Sequence, residues 1–305
     1  MKYRIHLKGP RAKGGRVPAD VLRDLLAVLT EGTRRSLRLR LEGRSLARGP
    51  IPSWLGKAAA FDLVGLAEGS TVLEFEATPL ASAAPERFGQ PELFNDIDVG
   101  MTSLGFLQES LRDALAGKEE SDLYDQDLIA TYSDLGGVLA AGFESVEIVG
   151  EGSLEVRPEG IELVKSLRRK TPSPRRVRVA GALDAIRYSD RMFTLVLASG
   201  KTLRGVAESV DPERLRALFG REAVVSGRAV FRPSGSVLRI EAAEIEPATG
   251  DTSMWSDEPR PLEVGLDVRE LSEPQGPRSG VSAIFGRWPG EESDEEIASA
   301  FEEIS

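Results

Sequence analysis

The chain has 305 residues, 41% hydrophobic and 29% charged, enough for two folded cores with a polar surface around them. It holds no cysteine and one histidine, which excludes disulfides, thiolate metal sites, thiol nucleophiles and any metal site built on several histidines. Its net charge of −10 is segregated, with +10 over residues 1–60, −17 over 61–167, +7 over 168–247 and −10 over 248–305. Such blocks suit either basic surfaces for a polyanion with an acidic tail for a basic partner, or blocks that neutralise one another within the fold.

The opening KYRIHLK alternates Tyr3, Ile5 and Leu7 with charged residues, the pattern of a half-buried strand. Residues 11–16 read as a loop, and Pro18 opens a helix whose stripe is Val21, Leu22, Leu25, Leu26 and Leu29. Leu37, Leu39 and Leu41 then alternate with Arg38, Arg40 and Glu42, and this period of two predicts a second strand. FDLVGLAEGSTVLEFEA predicts a hairpin about Glu68-Gly69-Ser70. Residues 101–142 read as two helices, one striped by Leu104, Leu107, Leu111 and Leu115, the other running from Leu128 to Leu139. Val146–Val149 and Leu154–Val156 predict a closing hairpin, followed by a short helix over Ile161–Leu167.

Thr171-Pro172-Ser173-Pro174 has the composition of a linker. Beyond it VRVAGALDAI, MFTLVLA and TLRGVA predict three strands, DPERLRALFG a helix capped by Asp211 with Pro212 in its first turn, and AVVSGRAVF and VLRIEAAEI two more strands. Three strands, a helix and two strands is the element order of the five-stranded OB barrel, with an SH3-like barrel as its main competitor. Residues 248–280 are acidic and proline-rich without periodicity, as in an extended or disordered connector. The expected fold is therefore a mixed α+β domain over 1–170, an OB-like β-barrel over 171–247, a flexible linker over 248–280 and a partner-binding tail over 281–305.

In that tail Ser293 and Glu296 form a capping box, after which Ile297, Ala300, Phe301 and Ile304 share one helical face. A helix of about 11 residues is marginal alone in water, so its apolar stripe needs a surface to dock on. Upstream, Ile284, Phe285 and Trp288 crowd large apolar groups around Arg287 and the Pro289-Gly290 turn, as interface anchors do. The other reading of these residues is a tail folded back on its own barrel.

The segment FGRWPGEESDEEI, residues 285–297, resembles the C-terminal toxin-binding tail of antitoxins paired with PIN-domain ribonucleases. The longer N-terminal part resembles bacterial proteins encoded beside such toxins, without the short DNA-binding module usual in those antitoxins. The resemblance implies a tail that wraps the toxin, with Arg287 placed near its acidic, metal-binding active site. There a guanidinium would bridge two carboxylates and compete with magnesium. Partner-binding candidates are thus Ile284, Phe285, Arg287, Trp288, Pro289, Ile297, Phe301 and Ile304.

A nucleic-acid-binding protein is the rival reading. Arg178, Arg187, Arg191, Arg204, Arg228 and Arg239 supply charge on the barrel, while Tyr188, Phe193 and Phe231 offer stacking rings that core packing explains equally well. DNA or RNA would then meet the basic barrel or the basic N-terminus. No catalytic residue, metal site or cofactor is assigned, and the run Glu119, Glu120, Asp122, Asp125 and Asp127 reads as a solvated loop. The opening residues lack the apolar stretch of a signal peptide, and no run reaches the roughly 20 apolar residues of a membrane span, so a cytoplasmic protein is expected.

Overall fold

The computed structural model describes residues 1–12, 16–67, 71–89, 97–187, 191–262 and Ser293. The chain divides into two compact units, Met1–Gly265 and Leu266–Ser305, and all described residues except Ser293 belong to the first.

The N-terminal half is built on a five-stranded antiparallel sheet: β1 (Lys2–Lys8), β2 (Phe61–Ala67), β3 (Thr71–Ala77), β4 (Ser145–Val149) and β5 (Ser153–Val156), in the order β2-β3-β1-β4-β5. Period-two alternation sets its register, with Tyr3 opposite Phe75, Ile5 opposite both Leu73 and Ile148, and Leu7 opposite Val146. These side chains are buried, whereas Lys2, Arg4 and Lys8 stay exposed and pair with Glu76, Glu74 and Glu147 on neighbouring strands. Both expected hairpins are present, although residues 68–70 lie outside the described residues.

Five helices share the sheet's main apolar cluster: α1 (Ala19–Glu42), α5 (Ser103–Leu115), α6 (Gln126–Ser133), α7 (Leu135–Ala140) and α8 (Pro158–Lys170). Shorter helices α2 (Ser53–Ala58), α3 (Leu80–Ala83) and α4 (Pro85–Phe88) build a second, smaller cluster. The strand expected at residues 37–41 does not exist, because α1 continues through them for 24 residues. Its alternating leucines serve two cores: Leu39 enters the main cluster, while Leu37 and Leu41 enter the smaller one. Gly32, Thr33 and Ser36 carry the helical period between Leu29 and Leu37, and a Cβ on Gly32 would stand 2.6 Å from Leu107 on α5. Gly43 ends α1 in the left-handed conformation at φ 69°, its N–H bonded to the Leu39 carbonyl.

The expected second long helix over 128–139 is broken at Asp134 into α6 and α7. Thr171, expected in a linker, is buried and caps α8 through its hydroxyl bond to the Leu167 carbonyl at 2.7 Å, so a tight joint follows the helix.

The second half holds β6 (Arg175–Arg187), β7 (Met192–Val196), β8 (Thr202–Val206), α9 (Pro212–Ala217), β9 (Glu222–Phe231) and β10 (Val237–Pro247). Its strands close into a barrel in the order β10-β8-β7-β6-β9, with β9 returning to β10. All neighbours are antiparallel except β8 and β10, which run parallel. Asp211 caps α9 by accepting from the Glu213 N–H, as its sequence predicts. Val179, Leu183, Leu195, Val225, Ile240 and Ile245 fill a core separate from the two N-terminal clusters.

The first part of the expected flexible linker is held to the barrel. Glu258 accepts from the Val237 N–H at 3.0 Å and pairs with Lys201, and the Arg178 guanidinium lies 4.8 Å from the Trp255 ring centre.

Candidate functional site

The acidic run 119–127, expected as a solvated loop, keeps Glu120, Asp122 and Asp127 exposed but buries Asp125. The run joins the helical half to the barrel, because Glu120, Asp122 and Asp125 find donors on the barrel that sequence separation had hidden, while Glu119 pairs within the helical half. Asp125 is the centre: it caps α6 by accepting from the Leu128 N–H, accepts from the Ser45 hydroxyl at 2.6 Å, and receives Arg239 Nη1 from β10 at 3.0 Å. The two charged side chains are only 1% and 7% exposed, so the pair is dry, and Arg239 completes its bonding on Glu241 at 3.1 Å. Around it Asp122 pairs with Arg232, Glu119 with Lys170, and Glu120 accepts from the Ser236 hydroxyl at 2.8 Å. The Ser234 and Ser236 hydroxyls hold the Glu120 carboxyl below its ordinary pKa. Burial, with the charge of Asp125 adding to it, raises that of Asp127.

Two clefts open beside this junction. The first, about 530 Å³, lies between the end of α1 and the β7–β8 face, with Arg40, Arg187, Arg204 and Arg239 against Asp122 on its walls. Met192, Val206 and Leu238 add apolar groups to its lining. Arg204 reaches Asp122 at 3.6 Å and Arg40 reaches Glu109 at 3.7 Å, loose pairs beside the tight ones that hold the junction. The second cleft, about 420 Å³, is walled by Arg38, Arg44, Arg48, Arg87, Arg191 and Trp54, with Glu42 and Glu208 as its acids. Arg44 pairs with Glu208, which holds the Glu208 carboxyl below its ordinary pKa.

Of the barrel residues singled out by sequence, Arg187, Arg204 and Arg239 come together at the first cleft with Phe193, and Arg191 stands at the second. Arg178 lies against Trp255, and Arg228 pairs with Glu241 at 3.0 Å. Two of these readings need correction. Phe193 is 2% exposed, its ring laid across Gly205, where a Cβ would come within 2.1 Å, so it is a core residue and not an open stacking platform. Arg239 is already bound by two carboxylates. Phe231, at 1% exposure, is core as well, and Tyr188 lies outside the described residues.

Sequence reasoning missed Trp54 and Arg87 altogether, set Arg38 on the charged face of a strand that does not form, and left Arg44 and Arg48 within the basic block of residues 1–60. The +10 charge of residues 1–60 was the signal for the three arginines of that block, whereas Trp54 is uncharged and Arg87 lies within the acidic block 61–167. Ile284, Phe285, Arg287, Trp288, Pro289, Ile297, Phe301 and Ile304 lie outside the described residues, and of the tail only Ser293 is described, exposed.

Among the described residues no group of three or more His, Asp or Glu side chains is placed to hold a metal ion. No described helix is long and apolar enough to cross a membrane. No family model, curated protein or solved structure matches the chain.

Proposed function

We propose that this chain is a non-enzymatic binding protein of the antitoxin kind, which inhibits a PIN-domain ribonuclease through residues 281–305. The observation that carries the reading is the segment 285–297, where Phe285 and Trp288 flank Arg287 ahead of a turn and an acidic, capped helix sequence. The anchoring of the connector by Trp255 and Glu258 supports it, since the chain leaves a fixed point on the barrel before the tail begins. We read 1–170 and 171–247 as two folded domains that present this tail. The test is co-purification of the full chain with a PIN-domain ribonuclease encoded beside its gene, followed by an RNA-cleavage assay. Stoichiometric binding with inhibition is expected, and an uninhibited nuclease at saturating chain would reject the proposal.

A second reading is favoured by a separate observation. The order β10-β8-β7-β6-β9, the parallel β8–β10 pair and a helix between the third and fourth strands support an OB-like assignment for the barrel. Its β7–β8 face borders the first arginine-walled cleft. In this reading the body binds nucleic acid while the tail binds protein.

A further inference from the structure

We propose that the second cleft binds single-stranded nucleic acid, its guanidiniums taking phosphates and Trp54 lying against a base. The inference rests on the nucleic-acid reading and moves the binding site from the barrel's own arginines to the cleft shared with the helical half.

Charge is the first support. Five arginines face two glutamates in a cleft of about 420 Å³. Glu42 holds Arg38 Nε at 2.8 Å and Glu208 holds Arg44, and the two arginine side chains are only 10% and 17% exposed. An arginine fixed by one carboxylate keeps further N–H donors in a set direction, which suits the oxygens of a phosphate. Arg48 is exposed, and among the described residues no hydrogen bond or ion pair holds it.

Backbone strain is the second. Among the described residues Arg191 is the one non-glycine residue with positive φ, at 53°. Glycine or asparagine would take that conformation more easily, so an arginine kept there points to a use for its side chain. Its guanidinium donates to the Glu208 carbonyl at the cleft wall.

Shape is the third. Duplex reading needs an element that projects into a groove, whereas this site is a cleft whose lining includes Pro50 and Pro52. A flexible strand can enter such a recess and lay a base on an aromatic ring. Trp54 is set for this by the edge of Phe88, 6.0 Å away at 83°, and by the Arg87 guanidinium 5.6 Å from its ring centre.

The test uses the full chain and fluorescence anisotropy with a labelled oligouridylate of about 12 nucleotides. Binding should weaken by more than ten-fold between about 50 and 200 mM salt. Arg48→Ala and Arg191→Gly should each weaken it roughly five-fold, while exposed Arg23→Ala, paired with Asp24, leaves it unchanged. Arg191→Gly should also melt no lower than the parent, because it removes left-handed strain; a purely structural arginine would lose stability instead. Loss of binding in Arg204→Ala with Arg48→Ala and Arg191→Gly unaffected would move the strand to the first cleft and overturn this inference, leaving the nucleic-acid reading intact. No binding by the parent chain at the lowest salt would reject both. Equal competition by duplex RNA or by polyglutamate would overturn the single-strand assignment.

Discussion

At the scale of single residues, the interactions differ less in number than in what surrounds them. Arg4 and Glu74 face water on the sheet, and such exposed pairs contribute about 0–1 kcal/mol. Arg239 and Asp125 make the same chemical pair with water excluded, and removing one partner there leaves an uncompensated buried charge. Arg239→Ala should therefore destabilise by about 3–5 kcal/mol in denaturant unfolding, against less than about 1 kcal/mol for Arg4→Ala. Equal losses would mean that the junction pair is not dry. Protonation acts on the same joint with opposite signs. Glu120 and Glu208 are held below their ordinary pKa values, so the stabilisation they give is complete above the unfolded carboxylate pKa and is lost as pH falls through their folded values. Asp127 is raised, so the folded form takes its proton first, and a fall in pH from its raised value to its ordinary one favours folding through this group. Glu86, Glu147, Glu155, Glu162 and Asp251 are lowered too, against Asp127 alone raised among the described carboxylates, so the melting temperature should decline below about pH 4.5. Glu120→Gln should flatten that acid limb, and an unchanged limb would remove Glu120 from the joint.

At the scale of elements, local chemistry was legible where one rule acted alone. β1, the two hairpins of the sheet, α9 with its Asp211 cap and all five barrel strands follow from alternation, turn residues and capping. The second half of α1 did not, because two cores draw on one helix there. Leu37 and Leu41 face one cluster and Leu39 the other, which imitates the period of a strand. Small residues at 32, 33 and 36 hold the helical period that a search for large apolar side chains passes over. Gly32 matters for a physical reason, since α1 and α5 approach until a Cβ there would meet Leu107 at 2.6 Å. Gly32→Val should thus overpack the contact and destabilise by about 1–3 kcal/mol, even though valine has the better helix propensity. A more stable variant in thermal unfolding would show that α5 yields at this contact.

At the scale of the whole molecule, the charge blocks were visible in the sequence but their pairing was not. The acidic run 119–127 reads locally as a surface loop, and only folding brings Lys170, Arg232, Ser236 and Arg239 to it across more than 40 residues. Lys170, Arg204, Arg232 and Arg239 pair with the acidic run, and Lys2, Arg4, Lys8, Arg40 and Lys57 pair with other acids of 61–167, so the acidic block neutralises part of both basic blocks. The second cleft gathers Arg38, Arg44 and Arg48 with Arg87 and Arg191 through tertiary contacts that no motif encodes. Under the proposed function the work would be divided, with the body presenting the tail and the tail holding the toxin. This division yields a separable prediction. Trp288→Ala should leave the body's melting temperature unchanged and weaken toxin binding by about 2–4 kcal/mol, the usual effect of truncating a buried aromatic anchor at an interface. Arg287→Ala should behave differently if its guanidinium faces the toxin's metal-binding carboxylates. Affinity would persist through the apolar anchors, while inhibition at saturation would weaken and added magnesium would relieve more of it. Calorimetry and residual ribonuclease activity across a magnesium series measure the two effects separately. If Arg287→Ala inhibits as fully as the parent at every magnesium level, active-site blockade fails and occlusion by the tail's bulk replaces it. If Trp288→Ala binds as tightly as the parent, the anchor role fails and the toxin-binding surface lies elsewhere on the chain.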